Sequence, residues 1–433
     1  MANRLSTLSR RDFVKGSAGL AAGLALPALF PGGARAAPAG QPNIVLILAD
    51  DLGYECLSCY GSVSGQTPEL DKLAASGVRF TACHAQPLCT PSRVQLMTGQ
   101  YNHRNYAGFG TLGKNEKTFG NLFRDAGYAT GIVGKWQLGG DLNQPQHFGF
   151  DDYCLWQING KGNCYRKPEF HENGKLMENI ADKYGPDVHG DWALDFIARK
   201  RSKPFFLYYP ILLPHHPPGG DSWATPDSKG DRKPVWDMVA YMDKLVGRLV
   251  NRLEELQLLD NTLILFAGDN GSDLTTTEMK DGTKIKGGKA RMTDAGTHVP
   301  LLAFWKGKSA KGAVCEDLVD LSDFLPTLAD AAGVPLPKDR PFDGRSFLPQ
   351  IVGQKGNPRD WTFCWYIRQK QGGYFARDKS WKLYDDGRMY DMQKDLLEQH
   401  PLALDSLSAE AAAAQKKLSA VFQLLKPRPV PVE

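Results

Sequence analysis

The stretch NIVLILADD, residues 43–51, places a short and continuously apolar run directly before two aspartates. Short apolar runs bounded by turn residues are typical of buried strands. Four further runs share this character: ATGIVG (129–134), PFFLYYP (204–210), TLILFAG (262–268) and PLLAFWK (300–306). Because these runs are continuously apolar rather than alternating, they indicate a mostly parallel sheet that is covered on both faces.

Helical patterns lie between the predicted strands. The segment TPELDKLAASG (67–77) has Thr67 as N-cap, Pro68 in the first turn and Gly77 as its end. The segment TFGNLFRDAG (118–127) repeats this design, and residues 235–258 form a long amphipathic pattern. The alternation of strands and helices predicts a doubly wound α/β core.

The pattern changes near residue 357. Four segments there alternate apolar and polar residues between turn signals: WTFCWYI (361–367), GGYFARD (372–378), SWKLYDD (380–386) and RMYDM (388–392). This pattern predicts a small antiparallel sheet, and residues 408–425 predict a closing helix. We therefore expect an α/β domain over residues 42–355 and a small subdomain over 356–433.

The first 36 residues have the character of a targeting segment. Arg10 and Arg11 precede a stretch of alanine, leucine and glycine that ends in Ala34-Arg35-Ala36. The apolar stretch is shorter than the roughly 20 residues that span a membrane. The segment resembles a twin-arginine export signal cut near Ala36, which implies the twin-arginine machinery as a partner and the periplasm or the exterior as destination.

Bulk composition limits the function and the redox chemistry. A formal net charge of +4 over 433 residues, without a basic run, argues against a nucleic-acid binder. Eight cysteines in an oxidising compartment permit one or two disulfides, and Cys154 with Cys164 is the preferred pair. The pair Cys56 and Cys59 is interpreted as structural, since no second C-x-x-C completes a zinc site.

Polar side chains follow four of the predicted strands. In a doubly wound sheet, ligands bind beyond the carboxyl ends of the strands. The sequence therefore predicts an active site on one rim of the sheet, built from Asp50, Asp51, Lys135, Gln137, His215, Asp269 and Asn270.

The acidic residues of this rim favour a metal ion. Asp50, Asp51, Asp269 and Asn270 offer oxygen donors of net charge −3, which suit Ca²⁺ or Mg²⁺ rather than zinc. Each motif alone is equally consistent with a helix cap or a turn. Together they favour metal binding, because three uncompensated carboxylates would repel one another in a partly dry cleft.

One motif carries a family resemblance. CTPSRVQLMTG (89–99) resembles the C-x-P-S-R-x-x-x-x-T-G signature of type I sulfatases, within the alkaline phosphatase superfamily. Further similar stretches follow in the family's order: PNIVLILADDLGY (42–54), GIVGKWQLG (131–139), PHHPP (214–218), FAGDNGSD (266–273), KARMTDAGTHVPLLAFW (289–305) and KLYDDGRMYDM (382–392). The resemblance implies an alkaline phosphatase-like fold, with a large mixed, mostly parallel sheet and a small C-terminal antiparallel sheet.

The resemblance implies that Cys89 does not act as a thiol. A formylglycine-generating enzyme, a partner during maturation, would oxidise it to Cα-formylglycine, whose hydrate supplies the attacking hydroxyl. One cation per chain, Ca²⁺ with Mg²⁺ as the alternative, would be bound by Asp50, Asp51, position 89, Asp269 and Asn270.

The resemblance also implies roles for the remaining polar residues. Lys135 and Lys289 would hold sulfate oxygens, Arg93 would hold the diol, and His215 would protonate the leaving oxygen. Gln137 stands where the family usually has histidine, and an amide can hydrogen-bond a hydroxyl but cannot take its proton. His216 is expected to line the wall, whereas a substrate-facing and a packing role both remain open for His298.

The expected activity is hydrolysis of sulfate monoesters, and the expected substrates are sulfated carbohydrates. The alternatives are a phosphodiesterase or phosphonate monoester hydrolase on the same site, and an inactive periplasmic glycan-binding protein. We expect specificity in residues 140–186, 217–234 and 366–374. Three aromatic residues there either stack on sugar rings or pack internally: Trp156, Tyr165 and Trp223.

Overall fold

The structure, a computed structural model, describes residues 40–158, 160, 162–216, 224–228, 234–273, 275–368 and 371–428. The predicted export signal and Trp223 lie outside these residues. Within the described ranges, no helix is both long and apolar enough to cross a bilayer.

The predicted strands are present with small shifts of their ends. In chain order, the strands are β1 (Asn43–Ala49), β2 (Val78–His84), β3 (Ala129–Lys135), β4 (Asp152–Trp156), β5 (His171–Glu172), β6 (Lys175–Leu176), β7 (Phe205–Ile211), β8 (Thr262–Gly268), β9 (Thr276–Glu278), β10 (Lys284–Lys286), β11 (His298–Trp305), β12 (Ala313–Cys315), β13 (Val319–Asp320), β14 (Thr362–Arg368), β15 (Gln371–Arg377), β16 (Trp381–Tyr384) and β17 (Met389–Asp391).

In the described part of the chain, eleven strands form one large sheet. Its order is β12-β2-β11-β8-β1-β7-β3-β4-β5-β6, with β13 beside β2. The central strands β8, β1, β7, β3 and β4 are parallel, as the apolar runs predict. Strand β11 has the same apolar character but runs antiparallel to both β8 and β2, so the sheet is mixed.

Helices cover both faces of this sheet. The α-helices of the described residues are α1 (Pro68–Ser76), α2 (Cys89–Thr98), α3 (Asn102–Asn105), α4 (Phe119–Asp125), α5 (Gln144–His147), α6 (Gly185–Lys200), α7 (Pro234–Glu255), α8 (Asp294–Thr297), α9 (Phe324–Ala332), α10 (Leu348–Ile351) and α11 (Ala409–Leu425). Successive residues of a strand point to opposite faces. Accordingly, Ile44, Leu46 and Leu48 of β1 pack in one core and Val45, Ile47 and Ala49 in another.

The predicted C-terminal antiparallel sheet and closing helix are present. Strands β14 to β17 form an antiparallel sheet of consecutive strands, and α11 packs against β15 and β16. Ser408 caps α11 by accepting a hydrogen bond from the Ala411 amide at 3.1 Å. The predicted cap residue Thr118 likewise forms a capping box at the start of α4.

The predicted disulfide is wrong. No disulfide joins any of the eight cysteines, which all lie among the described residues. Cys154 lies in β4, with its sulfur 3.4 Å from the sulfur of Met177. A short loop between two cysteines does not fix the distance or the direction of their Cβ atoms, and these decide whether a bridge can form.

A buried histidine makes the stability of the fold depend on pH. His189 of α6 stacks on Phe170 with ring centroids 3.8 Å apart, and neither ring nitrogen has a hydrogen-bond partner among the described residues. Burial lowers the pKa of His189 to about 3. Because an unfolded histidine titrates near 6.5, the unfolded chain takes up a proton that the folded chain does not, and stability is lost as pH falls from about 6.5 toward 3.

We expect a His189→Phe variant to be more stable than the wild type at about pH 5, by up to about 2 kcal/mol, with a much smaller difference at about pH 8. Phenylalanine keeps the ring stack and removes the titrating group. Thermal unfolding at the two pH values measures the effect. An equal shift at both values would contradict the assignment.

Candidate active site

The structure brings the predicted polar residues together at one rim of the sheet. Strands β8, β1, β7 and β3 are neighbours in that order, and their carboxyl ends point the same way. Asp269 and Asn270 follow β8, Asp50 and Asp51 follow β1, His215 follows β7, and Lys135 ends β3. Strand β2 leads to the same rim, where α2 begins at Cys89.

A fully buried ion pair lies at the base of the site. The Lys135 ammonium donates to both carboxylate oxygens of Asp50, at 2.7 and 3.0 Å, and both side chains are fully shielded from solvent. Burial opposes ionisation of Asp50, but the positive charges of Lys135, His215 and Arg93 outweigh it and hold its pKa well below the usual range. Asp50 is therefore a carboxylate at neutral pH.

Arg93 ties this pair to the neighbouring strand. Its guanidinium donates to an Asp269 oxygen at 2.9 Å and to the Lys135 carbonyl at 3.0 Å, and lies 3.6 Å from Asp50. Arg93 is one helical turn after Cys89 on α2. The arginine thus fixes the start of α2 relative to β3 and β8.

Asp51 is the centre of a second group of contacts. Its backbone, with a φ of 64°, donates from the amide to Asp269 at 3.0 Å. One side-chain oxygen accepts from the Asn270 amide at 2.9 Å, and the other accepts from the Lys289 ammonium at 2.5 Å. Asp51 therefore links β1, β8 and the segment that carries Lys289.

Cys89 occupies the first position of α2 and faces the carboxylates. Its sulfur lies within 4.8 Å of a carboxylate oxygen of both Asp50 and Asp269. Burial raises the pKa of the thiol, with the charges of Asp50 and Asp269 adding to that effect against Lys135. A thiol held in its protonated form is a poor nucleophile.

The donor set fits a hard divalent cation. Burial and the charge of Asp50 raise the pKa of Asp269 to about 7. The side-chain oxygen of Asn270 is buried and has no hydrogen-bond partner among the described residues. A cation bound by oxygens of Asp50, Asp51, Asp269 and Asn270 would both satisfy that oxygen and offset the repulsion.

His215 borders this site from β7. Its Nε2 lies 3.9 Å from Asp51, its side chain is 19% exposed, and burial, with Lys135 next, lowers its pKa. The hydroxyl of Tyr165 donates to the His215 carbonyl at 2.7 Å, a positioning contact for which no sequence motif provides a signal. His216 is exposed beside it.

Gln137 contacts the first turn of α2. It adopts a φ of 52°, and its side-chain oxygen accepts from the Thr90 hydroxyl at 3.4 Å. Thr90 directly follows Cys89 and also accepts from the Gly110 amide at 3.1 Å. Thr90 was not among the predicted site residues.

Three other candidates pack internally. Both ring nitrogens of His298 are engaged, by Asp294 at 3.1 Å and by the Thr81 carbonyl at 2.9 Å, and its ring stacks on Tyr54. Trp156 and Tyr165 are at most 1% exposed, so neither offers a face to a sugar ring. Of the two roles that the sequence left open, the structure favours packing for all three.

The fold and the side chains at its rim define the class as enzymes of the alkaline phosphatase superfamily. Within that class, the chain belongs to the sulfatase family. The sulfatase family model matches residues 42–334, and the C-terminal model of N-sulphoglucosamine sulphohydrolase matches residues 288–424. A model of the twin-arginine translocation signal matches residues 7–27, which supports export.

Curated relatives and solved structures agree with this family. Arylsulfatase A of Homo sapiens is 34% identical over 389 residues, covering 80% of this chain and 75% of that protein. N-acetylgalactosamine-6-sulfatase of Canis lupus familiaris is 30% identical over 404 residues, covering 82% and 76%. The crystal structure of Ps i-CgsB in complex with k-i-k-neocarrahexaose superposes with a TM-score of 0.77 at 26% identity, covering 91% of this chain and 95% of that one.

The fold also occurs in a phosphorus hydrolase. Phosphonate monoester hydrolase of Agrobacterium radiobacter superposes with a TM-score of 0.65 at 22% identity, covering 90% of this chain and 95% of that one. At that identity the likeness concerns the fold alone.

Proposed function

We propose that this sulfatase hydrolyses sulfate monoesters on carbohydrates through a formylglycine at position 89 and one divalent cation. The observation that carries the proposal is the position of Cys89. The motif cysteine begins a helix within 4.8 Å of Asp50 and Asp269, and burial raises the pKa of its thiol. When modified, this position supplies a hydrated aldehyde hydroxyl as nucleophile, which a serine or cysteine side chain does not.

The proposed cation is Ca²⁺, with Mg²⁺ as the alternative. Oxygens of Asp50, Asp51, Asp269 and Asn270 would hold it beside position 89, and all four residues are almost fully buried. A bound cation polarises sulfate oxygens and favours the ionised nucleophile. Hard oxygen donors without imidazole or thiolate suit these cations better than zinc.

The basic side chains are proposed to act on the sulfate group. Lys135 and Lys289 reach the site from different sides, each paired with one of the two adjacent aspartates. Their charges would stabilise the negative oxygens of the transition state. Arg93 orients position 89, and His215, whose Nδ1 has no hydrogen-bond partner among the described residues, is proposed to protonate the leaving oxygen.

Gln137 is proposed to hydrogen-bond the second hydroxyl at position 89. Its oxygen already lies near Thr90, one residue from that position. An amide accepts a hydrogen bond but takes no proton, so another group must accept the proton when sulfate leaves.

Carbohydrate substrates are favoured by the relatives. One structural relative is named with a neocarrahexaose and one curated relative acts, by its name, on N-acetylgalactosamine-6-sulfate. The match to a twin-arginine export signal supports export, and the proposed site of action is the periplasm or the exterior. The phosphorus alternative is supported only by the shared fold with phosphonate monoester hydrolase.

The test is sulfate release by protein purified after native export. We expect release from a panel of sulfated oligosaccharides, loss of activity on chelation with recovery on adding Ca²⁺, and a peptide containing position 89 whose mass lacks the sulfur. Phosphate diester and phosphonate analogues serve as the comparison. Faster turnover of the phosphorus analogues would favour the alternative, and active protein with an intact Cys89 thiol would contradict the nucleophile.

A further inference from the structure

The C-terminal sheet packs against two of the segments that carry proposed active-site residues. One apolar cluster contains Leu88 together with residues of the sheet, and Ala290 and Met292 pack against it; the sheet residues are Cys364, Tyr366, Phe375, Tyr384, Tyr390 and Met392. Leu88 directly precedes Cys89, and Ala290 directly follows Lys289. The sheet therefore packs against the residue that precedes Cys89 and against the residue that follows Lys289.

A buried lysine lies inside this support. The side chain of Lys382 in β16 is fully shielded from solvent, and its ammonium lies 4.0 Å from the ring centre of Phe375 and 4.9 Å from that of Tyr384. It is paired with Glu398 at 2.8 Å, a carboxylate that is itself only 2% exposed. A buried pair of this kind is strongly destabilised if one partner is removed, because the other charge stays unpaired.

The pair is bonded to the backbone of the segment that carries Lys289. The Met292 carbonyl accepts from the Lys382 ammonium at 2.5 Å and from the Tyr384 hydroxyl at 3.0 Å. Glu398 accepts from the Asp294 amide at 2.6 Å. Lys382 and Tyr384 of the C-terminal sheet thus donate hydrogen bonds to Met292, and Glu398 accepts one from Asp294, so residues 292–294 are held at both ends.

The start of this segment, at Lys289 and Ala290, is hydrogen-bonded to residues that lie close in the chain to Asn270 and Cys89. The Lys289 amide donates to the Ser272 carbonyl at 3.1 Å, and the Ala290 amide donates to the Pro87 carbonyl at 2.8 Å. Ala290 has a φ of 68°, so the chain turns sharply between the two anchors. The direction in which Lys289 leaves the backbone depends on both anchors being held.

We propose that Lys382 and Glu398 are positioning residues that hold Lys289 beside Asp51. The C-terminal sheet would thereby set the position from which Lys289 binds the sulfate group. This proposal rests on the proposed function, in which Lys289 binds the sulfate group. The contacts of Lys289 with Asp51, at 2.5 Å, and with Asp273, at 3.8 Å, define the geometry that the pair maintains.

A double-mutant cycle on kinetics tests the proposal. We expect Lys382→Met to lower kcat by about 10- to 100-fold, because a misplacement of about 1 Å in a catalytic group has effects of this size. In a Lys289→Met background the same substitution should have almost no further effect, since the residue it positions is gone. Equal losses in both backgrounds would overturn the proposal and indicate general destabilisation.

One milder variant and one control complete the experiment. Tyr384→Phe removes the hydroxyl that is hydrogen-bonded to the Met292 carbonyl and to Glu398, and leaves the ion pair of Lys382 and Glu398 in place. It should lower kcat by a few fold, again not in the Lys289→Met background, and it provides the test if Lys382→Met fails to fold. Lys394→Met, whose side chain is 84% exposed and pairs with Asp391, should leave kcat unchanged. A loss in this control equal to that of Tyr384→Phe would contradict the assignment.

Hydrogen exchange separates this proposal from the proposed function. Amides of residues 288–298 should exchange faster in Tyr384→Phe and Lys382→Met than in the wild type, while those of β1 and β8 should not change. Unchanged exchange in 288–298 would overturn the positioning role even if sulfate release is confirmed. Absence of sulfate release by the wild type would contradict the proposed function. Hydrogen exchange in residues 288–298 would then still decide whether Lys382 and Tyr384 hold this segment.

Discussion

A Lys135→Met variant should hydrolyse sulfate esters about 100 to 1000 times more slowly than the wild type. The loss should lie in kcat, and the Ca²⁺ concentration required for activity should not rise. The Lys135 ammonium is fully buried against Asp50, and its removal takes away a positive charge where the sulfate oxygens would gain negative charge. The same change removes a positive neighbour of the carboxylates, so the cation should bind at least as tightly as before.

Steady-state kinetics at several Ca²⁺ concentrations measure both effects. Lys200→Met is the matched control, since that lysine also pairs with an aspartate, Asp152, but away from the rim and with a side chain 25% exposed. The control should keep wild-type kcat. A Lys135→Met variant whose activity returns on raising Ca²⁺ would show that Lys135 shapes the cation site and does not act on the substrate.

The central sheet was predictable because its signal is local. Strands β1 and β8 have the bounds that their apolar runs and turn residues indicate. The direction of β11 was not predictable in this way, since an apolar run that is buried on both faces looks alike in a parallel and an antiparallel strand. Only its partners β2 and β8 decide it.

The rim residues were predictable for a different reason. Parallel neighbours bring their carboxyl ends to one edge, so residues that follow β1, β8, β7 and β3 must meet once the strand order is given. Their chemical roles remain proposals. Lys289 has no such signal, because it follows no strand of the large sheet, and only the family motif pointed to it.

Burial was the hardest property to predict. The alternation in SWKLYDD suggested a sheet with one solvated face, yet Lys382, Leu383 and Tyr384 are all buried. Both faces of β16 are covered, one of them by the segment that carries Met292. The sequence pattern around Lys382 therefore did not indicate that its side chain is buried. The same holds for Trp156 and Tyr165, which are also buried.

The second large effect is expected from Arg359, which lies before β14 and pairs with two aspartates of residues 320–323. Its guanidinium is 4% exposed and pairs with Asp320 at 3.0 Å and with Asp323, and it also donates to the Tyr101 hydroxyl at 2.6 Å. Arg359→Met leaves two buried carboxylates without their cation. We expect a loss of about 3–5 kcal/mol in the free energy of unfolding.

Thermal and denaturant unfolding should distinguish this effect from an ordinary surface contact. Arg252→Met removes an arginine that also pairs with a carboxylate, Glu255, but with side chains 35% and 64% exposed, and should cost less than about 1 kcal/mol. Adding Asp320→Asn and Asp323→Asn to Arg359→Met should recover part of the loss, because the buried charges disappear together. If the triple variant is no more stable than Arg359→Met alone, unpaired charge is not the cause, and the hydrogen bonds of Arg359 to Tyr101 and the neighbouring backbone account for its contribution.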